Sequence, residues 1–296
     1  MEGFDPTLGR GIKPNFDEAP TRFRRRIGGV DYLHLKGRQC GDLYVTRHGW
    51  PVVSSLLPER WFTGEQFRKP GQALAGATGA VYRVPVAHPV NHRFALVVKF
   101  SRFGQDVGIT VADELIANSQ FMDRVDHAEF LPPFEEFANL ERLRGQCRGI
   151  FATKAPLAIY SPPTRYLAWQ LGRKNHLQWA YRHQLSASQN DDPCTAKVEY
   201  EWERLYILLY RWMDGIDLEQ GRAAGLVPDY RMVEWTRRAA DQLLDLGWMV
   251  LDHKPRHLII RPGRRSRRIL HRRDQPVLGL IDYELLVPAA SATTDS

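Results

Sequence analysis

With 296 residues, of which 43% are hydrophobic and 25% charged, the chain has the composition of a globular protein long enough for two lobes. No run of about 18 apolar residues occurs, which argues against a transmembrane helix. The net charge of +7 is unevenly placed: RPGRRSRRILHRRD (261–274) holds seven Arg against one Asp, a local charge of +6, and RFRRR (22–26) forms a second basic cluster.

The first thirty residues carry turn formers and charge without periodicity and read as a mobile arm; their acidic, Pro- and Gly-rich start has no apolar stretch of the kind found in secretory signals. From Val30 to Phe67, short alternating runs separated by Gly predict two or three strands of a small β-rich extension. GATGAVYRVPV and RFALVVKF then read as adjacent antiparallel strands. Thr110 and Asp113 fit a capping box ahead of a helix carrying Leu115, Asn118, Phe121 and Met122, and PFEEFANLERLR predicts a second helix after Pro132–Pro133. GIFATKAPLAIYS reads as a strand, RYLAWQLGRKNHLQWAYRHQL as a long helix, and SASQNDDPCT as the polar loop that ends it.

ERLYILLYRWMDGIDLE is an apolar strand running into a turn at Gly215. DYRMVEWTRRAADQLLDLGWMVL gives the clearest amphipathic pattern, with Met232, Trp235, Ala239, Leu243 and Leu246 on one face. Directly after it, VLDHKPRHLIIR sets Asp252, Lys254 and His257 against a short apolar run, and PVLGLIDYELL places Asp282 after three residues of a final strand. A carboxylate at the end of a buried strand is costly unless a cation or metal pairs with it. Cys40, Cys147 and Cys194 are too far apart for a disulfide framework or a metal spacing, so a reducing, cytoplasmic setting is expected.

Glycine loop, strand Lys, helix Glu, apolar hinge strand, long helix, Asp loop and strand Asp follow one another here as they do in the protein-kinase-like superfamily, which residues 70–286 resemble. The resemblance implies an α+β fold: an antiparallel, β-rich N-lobe with a helix, a hinge, and a minimal helical C-lobe. It divides the chain into the arm and extension (1–67), an N-lobe with a helical insertion near 165–195 (68–213), and the hinge exit with a short C-lobe (214–296). LAGATGAVYR resembles the phosphate-covering loop, with Gly76, Gly79 and Val81 in register and Leu74 at the first glycine position. Lys99 resembles the lysine that grips the α- and β-phosphates, and Glu114 the carboxylate that holds it, with Glu129 and Glu135 as competitors. Backbone groups from Arg211 to Met213 would face adenine, with Tyr210 guarding the back of the pocket.

The same resemblance gives Asp252 the acceptor hydroxyl, Lys254 the moving phosphoryl group, and Asp282 the metal between the phosphates. The implied cofactors are ATP and Mg or Mn. His257 stands where the family keeps an Asn metal ligand, and Mg prefers oxygen. Glu284, in a DYE spelling closer to choline-kinase and aminoglycoside-phosphotransferase enzymes, is the carboxylate that could restore what His257 loses. Val250–Leu251 replace the His-Arg that precedes the catalytic Asp, and only 14 residues follow Asp282. A lipopolysaccharide-kinase-like enzyme is also compact and basic, which points to a sugar-phosphate or lipid acceptor as one option beside a protein or another small molecule.

Three functions fit these residues. One is an ATP-dependent phosphotransferase. A second is a pseudokinase acting as a nucleotide-binding or protein-interaction scaffold. The third is a binder of anionic polymers through the Arg-rich 261–273 loop, whose plain alternative is a solvated hairpin.

Overall fold

A computed structural model describes residues 15–37, 39–69, 71–74, 80–87, 94–109, 124–173, 200–263, 268–272 and 275–289. Over the described residues the protein is α+β, with a large antiparallel sheet and few helices. In chain order the strands are β1 (Arg24–Ile27), β2 (Val30–Gly37), β3 (Gly41–Thr46), β4 (Gln72–Ala73), β5 (Val81–Pro85), β6 (Ala95–Phe100), β7 (Phe151–Thr153) and β8 (Pro156–Ser161). They continue as β9 (Ile207–Arg211), β10 (Ile216–Asp217), β11 (Trp248–Val250), β12 (Leu258–Ile260), β13 (His271–Arg272), β14 (Gln275–Pro276), β15 (Leu278–Leu280) and β16 (Leu286–Pro288). Among the described residues the α-helices are α1 (Val53–Leu56), α2 (Pro133–Gln146), α3 (Leu218–Ala223) and α4 (Asp229–Asp245).

The chain forms two compact units. The first takes Met1–Asp106, Pro132–Ala138 and Ala155–Trp212; the second takes Val107–Leu131, Asn139–Lys154 and Met213–Ser296. The first is built on an eight-stranded sheet in the order β1-β2-β3-β8-β9-β6-β5-β4, antiparallel throughout. Strands β1–β3 of the 1–67 segment therefore continue the same sheet as β4–β9. The core lies on one face, where Leu33, Val45, Leu96, Val98, Ile207 and Leu209 meet Trp50, Leu56, Trp61 and Phe67 from the segment after β3. Fully burying such a side chain contributes about 1.5–3 kcal/mol, so this segment is a structural part of the sheet's cover.

The second unit holds a four-stranded sheet, β10-β12-β15-β7, with β7 parallel to β15, and the short pair β11–β16. Helix α4 buries Trp235, Ala239 and Leu243 along the face that the sequence periodicity marks, with Met232 and Leu246 half-buried. Gly215 is required where the chain leaves β9: its φ is +143°, and a Cβ there would stand 2.4 Å from the Ile260 carbonyl oxygen.

Three expectations change. Residues 15–30, read as part of a mobile arm, carry β1 and bury Phe16, Ala19 and Ile27. The strand read over GIFATKAPLAIYS is two strands, β7 and β8, parted at Lys154–Ala155. The long helix read from Arg165 does not form over its first residues: Arg165 bridges Arg204, and a single 3-10 turn, Ala168–Leu171, ends at Gly172 with φ +66°. The left-handed Gly172 stops the turn that the helical periodicity would continue. The remainder of that predicted helix, and the helix expected from Thr110, lie outside the described residues.

Candidate functional site

Lys99 sits on β6, between β5 and β9. Antiparallel partners share a side of the sheet, and the registers pair Lys99 with Val81 on β5 and Leu208 on β9, and Val97 with Tyr210. Val81, Val97, Lys99 and Tyr210 therefore occupy one face, while Leu96 and Val98 point to the other and into the core. The first turns of α2 cover the lysine face: the Phe134 ring centroid lies 4.9 Å from that of Tyr44, and the Phe137 centroid 5.2 Å from that of Tyr210.

Between these rings Glu136 reaches the strand. Its Oε1 accepts from Lys99 Nζ at 2.8 Å and from the Tyr210 hydroxyl at 2.5 Å. The Lys99 and Glu136 side chains are 10% and 2% exposed, which makes this a buried, charge-assisted arrangement. Taking two charges out of water is costly, so each partner depends on the other to remain ionised.

The carboxylate given to Lys99 is thus one position from Glu135, the competitor named from the sequence; Glu114 lies outside the described residues. Helix phase carries the missed signal. Glu136, Asn139, Leu140, Leu143 and Cys147 recur at three- and four-residue steps and are all buried, whereas Glu135 is exposed. Gly76 and Gly79 also fall outside the described residues. At the end of β9, the N–H groups of Arg211 and Trp212 donate to the carbonyls of Ala155 and Ala95, so the sheet engages both. The Met213 side chain is buried in the second unit over Gly279, where a Cβ would meet its sulfur at 2.3 Å.

The remaining groups belong to the second unit. Asp252 follows β11, and Lys254 caps the single turn Pro255–His257 that leads into β12. Lys254 Nζ lies 2.6 Å from Asp252 Oδ1, and both side chains are partly exposed. His257 Nε2 stands 3.7 Å from Asp282 Oδ2, and the His257 carbonyl accepts from the Ile281 N–H at 3.1 Å, tying the loop to the residues before Asp282. His257 Nδ1 is buried and has no hydrogen-bond partner among the described residues. Neighbouring His253 hydrogen-bonds the Thr236 carbonyl at 3.0 Å, and burial pushes its imidazole below the ordinary histidine range.

A second lysine, not singled out in the sequence, fixes the backbone ahead of Asp282. The buried Tyr283 hydroxyl donates to the Leu280 carbonyl and accepts from the Lys154 N–H at 2.8 Å, while Lys154 Nζ donates to the Ile281 carbonyl at 2.9 Å. Burial pushes the Tyr283 phenol far above its ordinary pKa, so it remains a donor. On the other side of Asp282 the Glu284 carbonyl accepts from the Leu131 N–H at 2.9 Å. Asp282, itself 29% exposed, is bracketed by held backbone. Its neighbour Glu284 is buried, and no group of three or more His, Cys, Asp or Glu side chains able to hold an ion occurs among the described residues. Of the three residues expected at a metal, His257 and Asp282 are brought together and Glu284 is not gathered with them.

No family model matches the chain, and no curated protein matches it. A solved structure described as WaaP in complex with acyl carrier protein is similar at a TM-score of 0.35 with 12% sequence identity. The likeness covers 74% of this chain and 61% of that one, so the chain spans less than two thirds of that protein's length.

Proposed function

We propose that the protein is an ATP-dependent phosphotransferase of protein-kinase-like fold. The observation that carries this reading is Lys99: an ammonium on an inner strand, buried against Glu136 and Tyr210, in a chain whose second unit presents Asp252, Lys254 and Asp282 from a loop and a strand end. A buried lysine held ionised by one carboxylate is suited to meeting phosphate oxygens. Val81, partly exposed on the lysine's own face, would supply apolar surface for an adenine ring.

In the transfer, the acceptor hydroxyl gives its proton to Asp252 as its oxygen bonds to the γ-phosphorus; the bond from that phosphorus to the bridging oxygen breaks and ADP leaves. Lys254 balances charge on the moving phosphoryl group. A divalent cation, when bound, would neutralise phosphate charge; Asp282 and His257 would hold it, and the mixed oxygen–nitrogen donor set suits Mn better than Mg. The acceptor is a hydroxyl-bearing protein or small molecule.

His257 at that position also supports a second reading, a nucleotide-binding scaffold without turnover. The Asp252→Asn variant separates the two. Loss of phosphate transfer from γ-labelled ATP with nucleotide binding retained is expected of the enzyme; transfer at the unaltered rate would contradict it.

A further inference from the structure

The described parts of the Arg-rich segment, 261–263 and 268–272, form a small antiparallel ladder with 275–277. Residues 268–272 run between 261–263 and 275–277: Leu270 N–H donates to the Arg261 carbonyl, Gly263 N–H to the Arg268 carbonyl, and Val277 N–H to the Leu270 carbonyl. The alternation of an extended chain puts Arg268, Leu270 and Arg272 on one side of this ladder. All three are exposed, Leu270 to 49%. Arg272 also lies close over Gly149, where a Cβ would stand 3.4 Å from its Nη1, so exposed Arg148 and Ile150 (38% exposed) adjoin the same surface.

We propose that this surface docks the protein on a bilayer of anionic lipids. Two features choose that occupant. The sequence from Arg261 to Arg272 contains no acidic residue, so its charge complements a negatively charged leaflet, where each Arg near the surface strengthens binding about fivefold. Exposed aliphatic side chains, Leu270 and Ile150, stand among the arginines, as insertion into an interface requires, while 261–277 holds no Phe, Tyr or Trp to stack on nucleic-acid bases. The docking is independent of phosphotransfer, and its loss leaves the nucleotide chemistry untouched.

The test is co-sedimentation of the full chain with vesicles of phosphatidylcholine alone and with about one third phosphatidylglycerol, at low and high salt. Binding is expected only to the anionic vesicles and to fall steeply with salt. Arg268→Ser and Arg272→Ser should each weaken it about fivefold. Leu270→Ser should weaken it at high salt, where the apolar contact carries more of the affinity. Each variant is compared at an unchanged melting temperature, which these exposed positions allow. Equal binding to neutral vesicles, or none to anionic ones, overturns the proposal. So does a single-stranded oligonucleotide that binds more tightly than the vesicles and ignores Leu270→Ser.

Discussion

The two clusters of charged groups are built in opposite ways. In the first unit Lys99 and Glu136 are sealed beneath α2 and share a tyrosine hydroxyl, so their geometry is part of the core. In the second, Asp252, Lys254 and Asp282 keep partial exposure, and what is fixed is the backbone around them, through Lys154, Tyr283 and the Ile281–His257 bond. A buried pair cannot lose a partner without loss of stability, whereas a partly exposed carboxylate on a held backbone can change its partner at little cost. The lysine cluster should therefore report on folding and function together, and the aspartate cluster on function alone.

The largest expected break in that contrast is Lys99→Met. It takes from the buried Glu136 carboxylate its ammonium partner, and should cost about 3–5 kcal/mol in urea unfolding. Adding Glu136→Leu should recover part of that loss, because no buried carboxylate remains, while the Tyr210 hydroxyl gives up this acceptor. Tyr210→Phe removes one hydrogen bond to a buried carboxylate and should cost about 1.5–3 kcal/mol by the same measurement.

A smaller effect, conditional on pH, belongs to the first unit but lies apart from Lys99. Burial alone would raise the Asp42 carboxyl, yet hydrogen bonds from His34 (2.8 Å) and Arg204 (2.7 Å), with their charges, bring it below its ordinary value. Because the folded carboxyl is the more acidic, its contribution is complete above about pH 4 and is lost as pH falls through the folded value. The stability gap between wild type and Asp42→Asn should thus be widest at pH 6 and narrow toward pH 3; a gap of constant size would show that the carboxylate's charge contributes nothing. The smallest change is predicted for Asp282→Asn: within about 0.5 kcal/mol of wild type in the absence of ligand. A much greater loss would erase the distinction between the clusters.

Local patterns carried the elements that own their pattern. The amphipathic period of α4, the β5–β6 pair with Lys99 near its end, the apolar β9 and the Asp252 loop are all readable because each repeats or punctuates over a few residues. What was not readable depends on partners far along the chain. Strand β3 pairs with β8 more than a hundred residues later, and nothing local tells Leu43 that its neighbour is Tyr160. For the same reason Arg24–Ile27 looked like part of a mobile arm, and β2–β3 like a small extension, rather than strands of the large sheet. Glu136 was missed for a finer reason: two adjacent glutamates open α2, and only the phase of Leu140, Leu143 and Cys147 tells which faces inward. Lys154 carries no motif, and its role arises from the parallel placement of β7 beside β15.

Nucleotide binding is the claim from which the rest of the function follows, and thermal unfolding with ATP, alone and with Mg or Mn, tests it most directly. At about 100 times its dissociation constant, bound ATP should add roughly 2.7 kcal/mol, a shift of several degrees. The account predicts that shift in the wild type only when a divalent metal is present, and its loss in Asp282→Asn. An unmoved melting curve under every metal, or a shift of equal size in Asp282→Asn, would contradict it.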